Sequence, residues 1–287
     1  MRKLFSLMLV LALVGSLMIG CGSTDEPDNM TPETTAAPET SAPEVQGDYE
    51  DGIYFATEPG FSDSGWKGTV TVTVEGGNIV DVDWNAANTS AGKDKKTASA
   101  DGDYGMVAKG NAQAEWHEQA ELAEAYLIEN QSFDGINYVD EDGHTDTIAG
   151  VSIHVNDFEA LVETAMAQGP VGTGIYKDGT FSAEADAFSD SGWKDTVSFT
   201  VINGNIVAAN WNAIGETSEK DKKTASIDGD YGMVAKGNAS AEWHEQAMEI
   251  ENYLISVQDL GEIDTIASVS ISFDGFLALA EEALELR

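Results

Sequence analysis

The chain has 287 residues, with 14 Lys and Arg against 51 Asp and Glu and a formal net charge of −37. That length suits two domains of ordinary size, and that charge repels nucleic acid and anionic membrane surfaces. The single cysteine, Cys21, excludes a disulfide framework, a thiolate zinc site and a cysteine-ligated iron–sulfur cluster within one chain.

Residues 1–20 read as an export signal: Arg2 and Lys3 make a charged start, Leu4 to Leu13 an apolar run, and Leu17-Met18-Ile19-Gly20 leads into Cys21. A lone cysteine at that point resembles the lipobox of bacterial lipoproteins. With Cys21 diacylated, two chains would anchor the protein on the outer face of a membrane. Loss of residues 1–20 leaves 12 Lys and Arg against 51 acids, a composition that favours solubility at a cell surface. Residues 21–48 are rich in Thr, Pro and Glu with no hydrophobic period, which predicts a flexible stalk.

Beyond the stalk the chain repeats with an offset of 127, ungapped from Asp51/Asp178 to Ile128/Ile255, and about two-thirds of those positions are identical. This is a domain duplication, too long for a solenoid unit. The expected boundaries are 49–168 for the first domain, 169–177 for a linker and 178–287 for the second. In each copy a valine–threonine alternation, a glycine–asparagine turn and a returning strand predict a hairpin. Val70, Val72 and Val74 with Ile79 to Trp84 form it in the first copy; Val197, Phe199 and Val201 with Ile206 to Trp211 form it in the second. A glycine-punctuated, lysine-bearing loop region follows. Next comes a helix from about Ala114 to Ile128 with Trp116, Ala120, Ala123 and Leu127 on one face. Val151, Ile153 and Val155 alternate with Ser152 and His154 as a short strand. It leads into a helix capped by Asn156, with Phe158, Leu161, Val162 and Ala165 as its stripe. The second copy lacks nine residues, including DEDG at 140–143, which reads as a solvated loop because the remaining acids of an EF-hand are missing. The fold class expected is α+β: two tandem homologous domains, each a mainly antiparallel sheet with packed helices.

Lysine is scarce in this chain, and ten of the eleven lysines beyond residue 20 form matched pairs across the repeat: Lys67/Lys194, Lys93/Lys220, Lys95/Lys222, Lys96/Lys223 and Lys109/Lys236. Duplication copies everything at first, yet charged residues between the matched blocks have drifted, so an anionic ligand in each domain is a reading beside common descent. The six tryptophans pair as well, as core, with Trp116 the one to watch because it follows the loop YGMVAKGNA. Gly105 and Gly110, around Met106 and Lys109, would let backbone approach a planar phosphorylated ligand. The sequence contains no G-x-S-x-G elbow, no P-loop and no G-x-G-x-x-G after a strand. His117 opens HEQAE, where a zincin would need histidine in place of Glu121.

The order of these features resembles the FMN-binding domain family: FSDSGWK after a DG-x-[YF] start, a hairpin, YGMVAKGNA and EWHEQ, then D-x-x-x-x-x-S before a capped helix. Two such domains behind a lipoprotein signal look like the pheromone-type surface lipoproteins of Gram-positive bacteria, which serve in extracellular electron transfer. The resemblance covers residues 49–167 and 178–285. It implies FMN as cofactor, either covalent, placed on a hydroxyl by a flavin transferase, or noncovalent, and a membrane electron donor as partner. Carried over, Asp146 and Asp264 match the leading acid of the attachment motif, and Ser152 and Ser270 the acceptor. Ala149 and Ala267 stand where the family has a hydroxyl, Val151 and Val269 where it has alanine, and Ser268 where it has glycine. Lys109, Lys236, Met106, Met233, Trp116 and Trp243 complete the expected cofactor-binding set. The flavin phosphate would lie near the helix opening at Asn156 or Asp274. The expected role is an electron carrier with no substrate turnover; the alternative is a non-redox lipoprotein that binds a small ligand or a protein on the same fold. A third reading, release of a signalling octapeptide such as LFSLMLVL from the signal segment, rests on that apolar stretch alone.

Overall fold

The computed structural model describes residues 48–284. The export signal, Cys21 and nearly all of the stalk therefore lie outside the described residues. Among those described, no helix is long and apolar enough to cross a membrane.

Each domain is a three-stranded antiparallel sheet with helices packed on it. In the first, β1 (Gly52–Thr57) pairs with β2 (Trp66–Glu75), and β2 with β3 (Asn78–Asn88). The valine–threonine alternation works as expected: Val70, Val72 and Val74 are buried while Thr71 and Thr73 reach toward the other face. β1 was not legible as a strand, and its Tyr54 and Ala56 are as buried as the valines opposite. The loop region contains two short helices, α1 (Lys95–Ala100) and α2 (Met106–Gly110). The long helices are α3 (Trp116–Asn130) and α4 (Val155–Gln168). Their expected stripes are buried: Trp116, Ala120, Ala123 and Leu127 on α3, and Phe158, Leu161, Val162 and Ala165 on α4. Trp84 stacks on Phe158 with ring centroids 4.8 Å apart and meets Trp116 edge-on at 5.3 Å, so sheet and both helices share one aromatic core.

The second domain repeats the plan with β4 (Gly179–Glu184), β5 (Trp193–Ile202), β6 (Asn205–Gly215), α5 (Lys222–Ile227), α6 (Met233–Gly237), α7 (Trp243–Val257) and α8 (Asp274–Leu284). Residues 169–177 are not a free linker: the N–H groups of Val171 and Gly172 both donate to the Ile53 carbonyl at 2.8 and 2.9 Å. Asp140, Glu141 and Asp142 are exposed, and the Asp140 carboxylate accepts from the N–H groups of Asp142 and His144 at 3.1 Å each. It closes a solvated turn, as expected of that insertion.

The strand expected at 151–155 is absent. Val151, Ile153 and Val155 are buried as the alternation demanded, but they form an irregular descent onto α4, which starts at Val155. A period of two over five residues marks burial and not ladder pairing, because no neighbouring strand edge is there to receive it. Asn156 consequently sits inside the first turn rather than at the cap, which His154 occupies without a side-chain bond to the helix.

The same descent passes through the left-handed backbone region in both copies. Gly150 adopts a left-handed φ of 88°, and in the second copy Ser268 adopts 75°. That conformation costs a residue with a Cβ about 1–2 kcal/mol, so Ser268→Gly should stabilise the second domain by about 1 kcal/mol, read as a raised urea midpoint at unchanged slope.

Candidate functional site

A cleft of about 620 Å³ opens in the first domain between the sheet, α1, the start of α2 and the descent onto α4. Its volume lies within the range of small-molecule sites. Trp84 and Trp116 form part of its floor, and Trp66 and Tyr104, edge-to-face at 5.7 Å, make one wall. Ser152, Ile153 and His154 contribute the opposite side. Met106 and Lys95 reach it as well. Three expected site residues from separate segments, Met106, Trp116 and Ser152, therefore meet in one place.

Ser152 is held by a buried glutamine. The Oε1 of Gln119 accepts from the Ser152 N–H at 2.7 Å and from its Oγ at 3.1 Å, and the Gln119 amide donates to the Ala114 carbonyl at 2.9 Å. Gln246 does the same for Ser270, at 2.6 and 3.1 Å, and also accepts from the Ile271 N–H. Both serines are exposed. Val151 is buried against the core, so its side chain turns away from the acceptor position, and Val269 is half-buried. The glutamine was legible as part of EWHEQ but carried no signal of its role, since its partner is 33 residues away.

Several expected site residues lie elsewhere. Lys109 and Lys236 fold back and donate to the backbone carbonyls of Asp103 and Asp230 at 2.8 and 2.5 Å, so they brace their loops, and Lys109 does not line the cleft. Asp146 and Asp264 are both exposed, and Asp146 lies outside the lining of the cleft. The backbone of YGMVAKGNA is not open to a phosphate either. The N–H groups of Met106 and Val107 are taken by the Glu115 carboxylate at 2.7 and 3.1 Å, as those of Met233 and Val234 are by Glu242. That helix start already holds an anion of its own. His117 ties α3 to α1 through Ser99, with Nδ1 and Oγ 2.9 Å apart.

The matched lysines sort by partner. Lys93 and Lys220 each bridge two aspartates, while Lys96 and Lys223 reach the buried carboxylates of Glu124 and Glu251 at 2.6 and 2.7 Å. Lys194 pairs with Glu184, and Lys67 lies over the Phe61 ring. Lys95 and Lys222 make no ion pair among the described residues and sit instead within three rings each. Lys95 is 4.6, 5.0 and 5.5 Å from the centroids of Trp116, Tyr104 and Trp66. Lys222 is 4.5, 5.2 and 5.9 Å from those of Trp243, Tyr231 and Trp193. Burial lowers both ammonium groups, Lys95 to about 8, against the upward pull of nearby carboxylates. The pairing of lysines across the repeat flagged Lys95 and Lys222, but only the fold separates them from the eight that serve the scaffold.

No protein-family model matches the chain, and no curated protein does. A protein from Clostridium thermocellum solved by solution NMR is 53% identical over 42% of this chain and 91% of its own, with a TM-score of 0.34. The CPE2226 protein from Clostridium perfringens, a crystal structure, is 29% identical over 38% of this chain and 87% of its own, with a TM-score of 0.34. At 53% identity over nearly its whole length, the Clostridium thermocellum protein and this chain are members of one family. Neither protein's name states an activity.

Proposed function

We propose that the chain is a surface lipoprotein, anchored through Cys21, whose two domains hold FMN and relay electrons outside the cell. The observation that carries this reading is the convergence of Ser152, Met106 and Trp116 on one ring-lined cleft. FMN needs a flat apolar slot, donors for its ring edge and a place for its phosphate, and the residues fit each need. The rings of Trp66, Tyr104 and Trp116 supply the slot, and Lys95 a donor. Ser152 stands three residues before α4, a helix of 14 residues whose start carries no side-chain cap, where an anion is favoured. The flavin, when bound, supplies the redox chemistry; the protein fixes Ser152 through Gln119 and lines the slot with aromatic walls. A second reading, a ligand-binding protein without covalent flavin, is favoured by the exposed position of Asp146 outside the cleft.

Full-length protein made with and without a flavin transferase separates the readings. Flavin on the Ser152 peptide only in the presence of the transferase supports covalent attachment, and its loss in Ser152→Ala assigns the acceptor. Bound FMN with an unmodified Ser152 peptide restricts the site to noncovalent binding. A colourless product in both preparations, even after soaking in FMN, sinks the flavin reading.

A further inference from the structure

The carboxylate beside the caged lysine differs between the two domains in an informative way. In the first domain the acids whose charge reaches Lys95 are Glu58 and Asp157. Their counterparts in the repeat are Ala185 and Gly275, so both acids are missing from the second domain. There the acid whose charge reaches Lys222 is Asp195, and the counterpart of Asp195 is Gly68.

These positions are neighbours in space. The Glu58 N–H donates to the Gly68 carbonyl at 2.9 Å, and the Ala185 N–H donates to the Asp195 carbonyl at 2.8 Å. Glu58 reaches across that rung, its Oε2 accepting the Gly68 N–H at 2.7 Å, and a Cβ on Gly68 would fall 3.1 Å from the Glu58 Cδ. Asp195 grows from that same rung of the second sheet, with its Oδ2 3.1 Å from where a Cβ on Gly275 would lie. The acid has crossed from one strand to the next, and the chain opposite has lost the groups that would collide with it. Copying by duplication does not produce such an exchange, because it requires an acid lost at one position and gained at its partner.

We propose that each domain reads its ligand with an ammonium and a carboxylate set side by side in a three-ring cage, Lys95 with Glu58 in the first and Lys222 with Asp195 in the second. Neither lysine makes an ion pair among the described residues, and in the first domain Lys95 and Glu58 both line the cleft, a donor and an acceptor on one wall. A planar heteroaromatic imide, whose ring edge alternates carbonyl oxygen and N–H, meets both: the ammonium donates to a ring carbonyl and the carboxylate accepts from the ring N–H. The proposal rests on the flavin reading and assigns these residues to the pyrimidine edge of the isoalloxazine. Desolvation of the lysines by the rings strengthens each donated bond.

The test uses the full-length chain carrying Asp195→Ala, which leaves the first domain as the site with its carboxylate, and follows flavin fluorescence on titration with FMN. Adding Glu58→Ala should weaken binding roughly 10–100-fold, the worth of a hydrogen bond to a charged group. Adding Gly68→Asp together with Asp157→Gly to that variant should restore most of the loss by rebuilding the arrangement of the second domain, where Gly275 leaves room for Asp195, and this recovery separates a direct role from misfolding. FMN methylated at ring N3 should bind the parent as weakly as FMN binds Glu58→Ala, and should lose nothing further in Glu58→Ala. FMN affinity unchanged by Glu58→Ala, or an equal penalty for the methyl group in both proteins, would overturn the assignment while leaving the flavin reading intact. Absence of FMN binding by the unmutated chain would overturn both.

Discussion

Replacing Lys223 by methionine should lower the stability of the second domain by about 3–5 kcal/mol, the cost of stranding a buried charge. The Lys223 ammonium is 2.7 Å from the Oε1 of Glu251, whose side chain is 6% exposed, and 2.7 Å from the Oδ1 of Asn210. The same Oε1 accepts the Trp211 N–H at 2.6 Å, so this one oxygen pins α7 to β6. Burial raises the Glu251 carboxyl above its ordinary range, and Lys223 pulls it down. A folded-state pKa above the unfolded one means that folding takes up a proton. The stability this group contributes is full below the unfolded pKa and falls as pH rises through the folded one. Removing the lysine raises the folded value further, so the deficit should be smaller near pH 4 than near pH 7. Urea unfolding at the two pH values measures it. Adding Glu251→Gln should recover part of the loss, because a neutral amide no longer needs a cation. A deficit of equal size at both pH values would show that the lysine acts through packing of its stem instead.

Replacing Gln119 by leucine should cost the first domain about 2–3 kcal/mol, because leucine leaves the Ser152 N–H and the Ala114 carbonyl without their partner. Gln119 is 1% exposed, so no water replaces it without opening the core. On the proposed reading flavin attachment suffers too, since the Ser152 hydroxyl donates to this side chain. In chains produced with a flavin transferase, the flavin-bearing fraction of the Ser152 peptide should fall several-fold at temperatures where the variant is still folded. An unchanged unfolding midpoint would mean that the descent onto α4 is held by Val151, Ile153 and Val155 alone. Gln246 offers the matched experiment, with the Ile271 N–H as an additional bond at stake.

The two domains, the hairpins and the helical stripes were readable because burial writes a period into the sequence. Val70, Val72 and Val74 alternate, and Phe158, Leu161, Val162 and Ala165 recur at helical spacing. β1 was harder because GIYFAT carries no strict alternation, and the segment at 151–155 misled because three buried residues in alternation look like a strand whether or not another strand lies beside them. The site was legible in part. Motif and position point to Ser152 and Trp116, and both line the cleft. The sequence points to Lys109 over Lys95 because it stands between the glycines of YGMVAKGNA, but its ammonium is consumed by the Asp103 carbonyl while that of Lys95 faces the rings. Only distances could separate them, since both lysines are paired across the repeat. Glu115, within EWHEQ, fills the start of α2 that a phosphate would have used, a role set by a contact the sequence does not display.

The most direct test of the account is the visible absorption spectrum of the full-length protein purified from its native host. The account predicts the two bands of an isoalloxazine, at a strength that corresponds to flavin in both domains and that falls when Trp116 and Trp243 are replaced by alanine. A protein with no absorption beyond that of its tryptophans and tyrosines, and none gained on incubation with FMN, would contradict it.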